Sequence, residues 1–297
     1  MRTTLSSVIT RAAVENPRVV VLSGDHGYAL FDEVRKARPK QFINVGVAEQ
    51  AMIGIAAGMC REGYFPILYG LAAFVPLRVL EQIKIDLCLS KFPAILLGDG
   101  AGLVYSTLGS SHMCGEDIAA VRALPHMQVY SPADARELAT AFSTSLVSNC
   151  PTYIRVGKSD RPAVHTDALS SDAWFVTAKS SSPLCLVGTG SMSSVAQSLA
   201  KKHGLNSLSV SRIKPLSSDL TDALCGFQRV FVIEEHSRFG GLYSALTEAL
   251  CEREKHPVLK SISLQDKFAQ HCGDHEYALS EHGMTQVQIE EGLRGYL

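Results

Sequence analysis

Short apolar runs rich in β-branched residues alternate with longer stretches of helical periodicity along the chain. Residues 19–22, 42–45, 66–69, 94–97, 128–130 and 153–156 predict strands, and 4–15, 49–61, 77–89, 117–124 and 134–147 predict helices between them. Strands that are apolar on both faces and separated by helices indicate a parallel sheet covered on both sides. One helix start is legible in Ser131-Pro132-Ala133-Asp134, a cap residue followed by proline at the first helical position. Residues 157–182 break the pattern: they are polar and serine-rich, apart from the short apolar run Trp174-Phe175-Val176, which has strand character. The alternation then resumes, with strands over 184–188, 205–210, 229–233 and 259–264 and helices over 193–202, 219–225, 241–250 and 285–293. The fold class is α/β throughout: two domains, 1–160 and 181–297, joined by a linker over 161–180, with no repeat of solenoid length.

Composition narrows the class. Of 297 residues, 46 % are hydrophobic and 19 % charged, which excludes a disordered chain or a coiled coil and suits a surface partly hidden against partners. A net charge of −1 argues against a nucleic-acid partner. No apolar run is long enough to span a membrane, and Met1-Arg2-Thr3-Thr4 leads into no apolar signal core, so no membrane association is expected. Eight cysteines without any Cys-x-x-Cys spacing read as thiols of a reducing, cytoplasmic compartment, and no metal site is expected on this chain.

Candidate chemistry is concentrated in a few loops. Gly98-Asp99-Gly100 follows a strand and could open a metal–diphosphate site, which needs an asparagine further along. None occurs between Asn44 and Asn149, so a glycine turn is the reading. No phosphate-cradling glycine loop of the nucleotide-binding kind stands at a strand-to-helix turn. Asn44-Val45-Gly46-Val47-Ala48-Glu49-Gln50 places a carboxylate at the start of an otherwise apolar helix. The helix dipole favours a glutamate there in any protein. The apolar flanks point instead to a buried carboxylate in need of a partner, and spacing leaves both readings open.

These residues carry a resemblance. Residues 42–50 resemble the segment of transketolases and deoxyxylulose-phosphate synthases that holds the glutamate activating thiamine diphosphate. Phe74-Val75-Pro76-Leu77-Arg78-Val79-Leu80-Glu81-Gln82-Ile83 is similar to the family's Phe-x-x-x-Arg-x-x-Glu-Gln-Ile element. Gly109-Ser110-Ser111-His112, followed by Glu116-Asp117-Ile118, resembles its Gly-x-Thr-His-Gln segment and the Glu-Asp-Ile after it. Tyr153-Ile154-Arg155-Val156-Gly157, Ile213-Lys214-Pro215-Leu216 and Glu234-Glu235-His236-Ser237 with Gly240-Gly241 extend the likeness over nearly the whole chain. It covers the pyrimidine-binding and C-terminal domains of such enzymes and omits their diphosphate-binding domain.

The resemblance implies a parallel-sheet pyrimidine-binding domain followed by a mixed-sheet transketolase C-terminal domain, together the beta-type subunit of a split enzyme using thiamine diphosphate. A separate diphosphate-binding subunit would bring Mg²⁺ or Ca²⁺, and a second copy of this chain would complete a heterotetramer. Glu49 would hydrogen-bond the aminopyrimidine and so help form the cofactor carbanion, leading to a carbanion–enamine intermediate from a ketose or 2-oxo substrate. Asp25, Phe74 and Arg78 would line the cofactor, Phe74 by stacking. His112 would donate to the developing alkoxide of the small-molecule substrate, and Arg155 and Lys158 would meet its anionic group. Three departures stand out: Leu108 replaces an acidic residue that reads a sugar hydroxyl, Gly100 replaces a phosphate-side histidine, and Met113 replaces a glutamine. The expected substrate is therefore not a standard sugar phosphate, a modified or nucleotide-linked sugar of carbohydrate biosynthesis being one candidate. The alternatives are the beta subunit of a 2-oxo-acid dehydrogenase or decarboxylase, and a catalytically silent regulatory subunit.

Overall fold

The computed structural model describes residues 1–157 and 160–297; Lys158 lies outside the described residues. In chain order its strands are β1 (Val19–Ser23), β2 (Phe42–Asn44), β3 (Phe65–Leu71), β4 (Ile95–Asp99), β5 (Gln128–Tyr130), β6 (Thr152–Val156), β7 (Trp174–Ala178), β8 (Leu184–Gly188), β9 (Asn206–Val210), β10 (Arg212–Lys214), β11 (Arg229–Ser237) and β12 (Val258–Leu264). Among the described residues they form a seven-stranded sheet in the order β10-β5-β6-β4-β3-β1-β2 and a five-stranded sheet in the order β12-β11-β8-β9-β7. All neighbours are parallel except β10 against β5 and β7 against β9. The expected parallel-sheet and mixed-sheet domains are both present.

The sheet faces explain the apolar runs. On one side of the first sheet, helices Arg2–Glu15 and Ala135–Leu146 bury Leu5, Ile9 and Phe142 against Val21, Ile67 and Leu97. On the other, helix Glu49–Arg61 and the helical turns Leu77–Val79, Leu80–Gln82 and Ile83–Cys88 bury Met52, Ile53 and Ile83 against Leu22, Leu68 and Leu96. This second core continues without a break through Val129 and Ile213 to Leu208 and Val232 of the second sheet. The segment expected as a linker carries β7, which closes one edge of the second sheet, while β10 crosses back to the edge of the first. The helix expected after Ser131 begins at Ala135. Asp134, not Ser131, is its cap, accepting from the Arg136 and Glu137 amides, and Pro132 lies outside the helix. Helix His275–Glu281, capped by Asp274, was not legible as a periodic stretch.

Topology then locates a crevice. From β1 the sheet extends to β2 on one side and to β3 on the other. Connections leaving the carboxyl ends of such strands diverge, and the gap between them is where open α/β sheets hold ligands.

Candidate active site at the carboxyl edge of the first sheet

Four connections meet at this crevice: those following β1, β2, β3 and β4. After β2, Gly46 takes a left-handed φ of +72° and the chain turns into helix Glu49–Arg61, so Glu49 stands in the first helical turn. Its side chain is 2 % exposed. Gly24, just after β1, lies against it: a Cβ there would sit in ordinary contact, 3.5 Å from Glu49 Cγ and 3.7 Å from Oε1. Arg78 donates from Nη1 to Glu49 Oε2 at 3.0 Å and lays its guanidinium over the Phe74 ring, 4.1 Å from the centroid. Glu49 Oε1 is buried with no hydrogen-bond partner. Buried carboxylate oxygens normally accept a donor, so this acceptor is one of the open hydrogen-bonding positions of the described residues, Glu281 Oε2 being another.

The Phe74 ring joins two histidines. His112 meets it edge-on at 5.4 Å between centroids, and His26 lies tilted at 6.0 Å. His112 Nδ1 is engaged by Ser111 Oγ at 2.9 Å. His26 Nε2 is buried and, like Glu49 Oε1, has no partner. Thus Glu49, Phe74, Arg78 and His112 lie together, and His26 joins them although no motif singles it out. A histidine in a glycine-bracketed loop carries no spacing signal; its only clue is its place next to Asp25.

The other expected residues lie elsewhere. Asp25 is exposed, adopts φ +65°, and accepts from Asn44 Nδ2 at 2.9 Å, which pins the loop after β1 to the end of β2. Arg155 is 3 % exposed. Its Nε donates to both Asp117 carboxylate oxygens, at 3.0 and 2.9 Å, and its Nη2 donates to the Glu235 carbonyl at 2.8 Å. A substrate anion could reach this guanidinium only by displacing a buried carboxylate. The structure therefore places Arg155 as an interior tie between the two halves of the chain, in place of the expected anion contact. Asp99 accepts from the Tyr69 and Tyr105 hydroxyls at 2.8 and 3.0 Å, and Gly100 takes φ +70° against the Tyr105 ring, the turn expected there. Leu108, in the turn Ser106–Leu108 before His112, is 55 % exposed.

The segment Glu234–Ser237 is a hub of the interior. Glu234 accepts from the Leu242 and Tyr243 amides at the start of helix Leu242–Leu250, and burial pushes its pKa up to about 7. Burial also raises Glu235, but donors on His275, Leu103 and Ser191 outweigh it and hold the pKa below the usual value. His236 Nδ1 lies 2.7 Å from the Ser237 carbonyl and so carries the proton; Nε2 then accepts from the Ala119 amide, and burial pushes the pKa down to about 4. No group of three or more His, Cys, Asp or Glu side chains among the described residues could hold a metal ion. No helix among them is long and apolar enough to cross a membrane.

Comparisons with known proteins identify the family. Residues 1–162 match the family described as transketolase, pyrimidine binding domain. An apulose-4-phosphate transketolase subunit of Phocaeicola vulgatus is 30 % identical, over 97 % of this chain and 96 % of that protein. A 6-deoxy-6-sulfo-D-fructose transketolase subunit of a Clostridium species is 29 % identical over 97 % of this chain and 92 % of its own length. The 1-deoxy-D-xylulose-5-phosphate synthase of Cupriavidus pinatubonensis is 31 % identical over 88 % of this chain, which spans only 42 % of that enzyme. Among solved structures, a split-gene transketolase described as an inactive beta4 tetramer superposes with a TM-score of 0.88 at 28 % identity, covering 99 % of this chain and 97 % of that one. The chain belongs to the transketolase family, as a homologue of the beta-type subunits of split-gene transketolases.

Proposed function

We propose that this chain is the pyrimidine-side subunit of a thiamine-diphosphate-dependent transketolase-type enzyme, completed by a separate diphosphate-binding subunit. One observation carries this reading: Glu49 Oε1, a buried carboxylate oxygen without a donor, beside an oxygen already held by Arg78. An unsatisfied buried acceptor costs about 1–3 kcal/mol, a cost that a donor on an aminopyrimidine ring would remove. Thiamine diphosphate, when bound, supplies an acidic C–H whose loss yields a nucleophile for a ketose or 2-oxo carbonyl. Glu49 Oε1 would accept a hydrogen bond from the protonated form of the pyrimidine ring, and Arg78, by holding Oε2, would fix the carboxylate for that contact. One face of Phe74 is capped by Arg78, so a stacked ring takes the opposite face or displaces the arginine. His112, with Nδ1 engaged by Ser111, presents Nε2 to the carbonyl oxygen as charge develops there. His26 adds a second unsatisfied nitrogen to the same pocket.

In this reading Mg²⁺ or Ca²⁺ is held by the partner subunit, the pyrimidine-binding unit spans 1–160 and the C-terminal unit 181–297. The described cysteines are all free thiols, which supports a cytoplasmic location. The two relatives of matching length are named for apulose 4-phosphate and 6-deoxy-6-sulfo-D-fructose, both unusual sugars. Leu108 offers no acceptor to a sugar hydroxyl, which supports a substrate altered at the position it meets. A second reading has the chain catalytically silent by itself. The similar beta4 tetramer, described as inactive, supports it, and it is compatible with activity in a complex. Reconstitution separates the cases. This chain alone, self-associated, shows no turnover. Addition of a diphosphate-binding subunit with thiamine diphosphate and Mg²⁺ gives turnover of ketose or 2-oxo donors. Full turnover by the chain alone contradicts the split-subunit reading, and an inert complex across a donor panel favours a regulatory role.

A further inference from the structure

The loop that carries Leu108 and His112 is closed at its base. Between β4 and helix Asp117–Arg122 the chain pairs with itself at Gly102 and Cys114, each amide donating to the other's carbonyl at 2.8 Å. Residues 103–113 form the loop beyond this neck. Their internal backbone bonds are short-range, from Ser106 to Leu103, Leu108 to Tyr105, Gly109 to Ser106 and His112 to Gly109. The turn Ser106–Leu108 is the longest regular piece among them. Isolated turns of this length do not hold themselves in water. The first sheet contributes one side-chain tie, from the Tyr105 hydroxyl to Asp99. The placing of His112 against Phe74 therefore needs further support.

The second half of the chain supplies it. Glu235, on β11, accepts at Oε1 from the Leu103 amide at 2.7 Å and from His275 Nε2 at 2.9 Å, and at Oε2 from Ser191 Oγ at 2.8 Å. The carboxylate lies so close to the neck that a Cβ at Gly102 would overlap Oε1. His275 directly follows segment 265–274, which lies over the loop. Ser106 Oγ donates to the Gly273 carbonyl at 2.9 Å, and Ser110 Oγ to the Ala269 carbonyl at 3.4 Å. Cys272 Sγ stands 3.2 Å from where a Gly109 Cβ would be. Leu108 lies between two of the residues held in this way. One buried carboxylate thus joins the base of the loop to the end of the segment that covers it.

We propose that Glu235 is a positioning residue for the substrate side of the site: through Leu103, and through His275 and the segment before it, it holds loop 103–113 so that His112 stays against Phe74. A buried carboxylate with three donors is a rigid support, and small displacements of a reacting group are costly in rate. The inference rests on the role proposed above for His112.

The test is Glu235→Ala, read in two ways. In the chain alone, hydrogen–deuterium exchange of the amides over 103–113 rises roughly tenfold or more, because Leu103 loses its acceptor and the covering segment its anchor. In the complex with the diphosphate-binding subunit and Mg²⁺, turnover at saturating donor falls roughly tenfold or more. Affinity for thiamine diphosphate stays at the wild-type value, since Glu49 and Arg78 lie on other connections. Glu235→Gln restores most of the exchange protection and turnover, because its amide oxygen still accepts from Leu103 and its nitrogen donates to Ser191 Oγ. Asp134→Ala, which removes a helix cap on a different connection, changes neither. If Glu235→Ala does not fold, Ser106→Ala, which removes only a tie to Gly273, shows the same pattern at roughly threefold. An inert wild-type complex overturns the functional reading and this inference together. In an active complex, wild-type turnover in the variant, or a cofactor affinity that falls in step with turnover, overturns the inference alone. So does unchanged exchange over 103–113.

Discussion

Arg155 shows how far residue-level chemistry depends on what the chain brings together. Its guanidinium and the Asp117 carboxylate are both buried, so each is the other's charge compensation. Arg155→Met strands the carboxylate and costs about 3–5 kcal/mol of stability in urea denaturation. Asp117→Leu added to Arg155→Met recovers part of that loss, because no lone charge remains. A variant with unaltered stability and a raised KM would instead mean that the arginine serves substrate. The motif around Arg155 shows a strand ending in a basic residue, and nothing local could reveal that a carboxylate from a different connection closes on it. Glu49 was legible through the family resemblance of residues 42–50, since a carboxylate opening an apolar helix after a strand leaves the helix-dipole reading equally open. His26 was not, because its ring contact with Phe74 joins residues on the connections after two different strands.

Elements were legible wherever burial imposes a period. β1, β4 and β6 are apolar runs because both faces of the sheet are covered, and helix Glu49–Arg61 emerges with its expected limits. β10 escaped because three residues at a sheet edge cannot show alternation, and its partner β5 lies in the other half of the chain. The cap of helix Ala135–Leu146 is a sharper case, since Ser131 and Asp134 are both residues that cap helices. Asp134 accepts from Arg136 and Glu137 with Oδ1 and from the Val164 and His165 amides with Oδ2, so it also anchors the segment that leads to β7. Asp134→Ala is expected to lose about 2 kcal/mol, read as a lower midpoint of thermal unfolding. Ser131 Oγ has no hydrogen-bond partner, so Ser131→Ala shifts that midpoint little. Equal losses in the two variants would contradict this assignment of the cap.

At the scale of the whole molecule, the two halves are fastened by a buried polar seam formed by Asp117, Arg155 and the Glu234–His236 segment. Its two perturbed groups act in opposite senses with pH. Glu234 ionises at about 7 in the folded chain against 4.5 ordinarily, so folding takes up a proton between those values and stability falls as pH rises through them. His236 is held neutral down to about 4 against 6.5, so its contribution is lost as pH falls from 6.5 towards 4. The two partly cancel, which flattens the stability profile of the wild type. Glu234→Gln removes the first, and its stability should climb more steeply between 4.5 and about 7 than the wild type's, by up to about 1.4 kcal/mol per pH unit. Parallel profiles would show that Glu234 is ionised throughout.

The central claim is that the lone oxygen of Glu49 completes a cofactor held mainly by another subunit. The most direct measurement is steady-state turnover of the assembled complex, at saturating thiamine diphosphate and Mg²⁺, with Glu49→Gln in place of the wild-type chain. The predicted result is an intact complex of unchanged mass whose turnover falls roughly hundredfold or more. Wild-type turnover by that complex would contradict the claim.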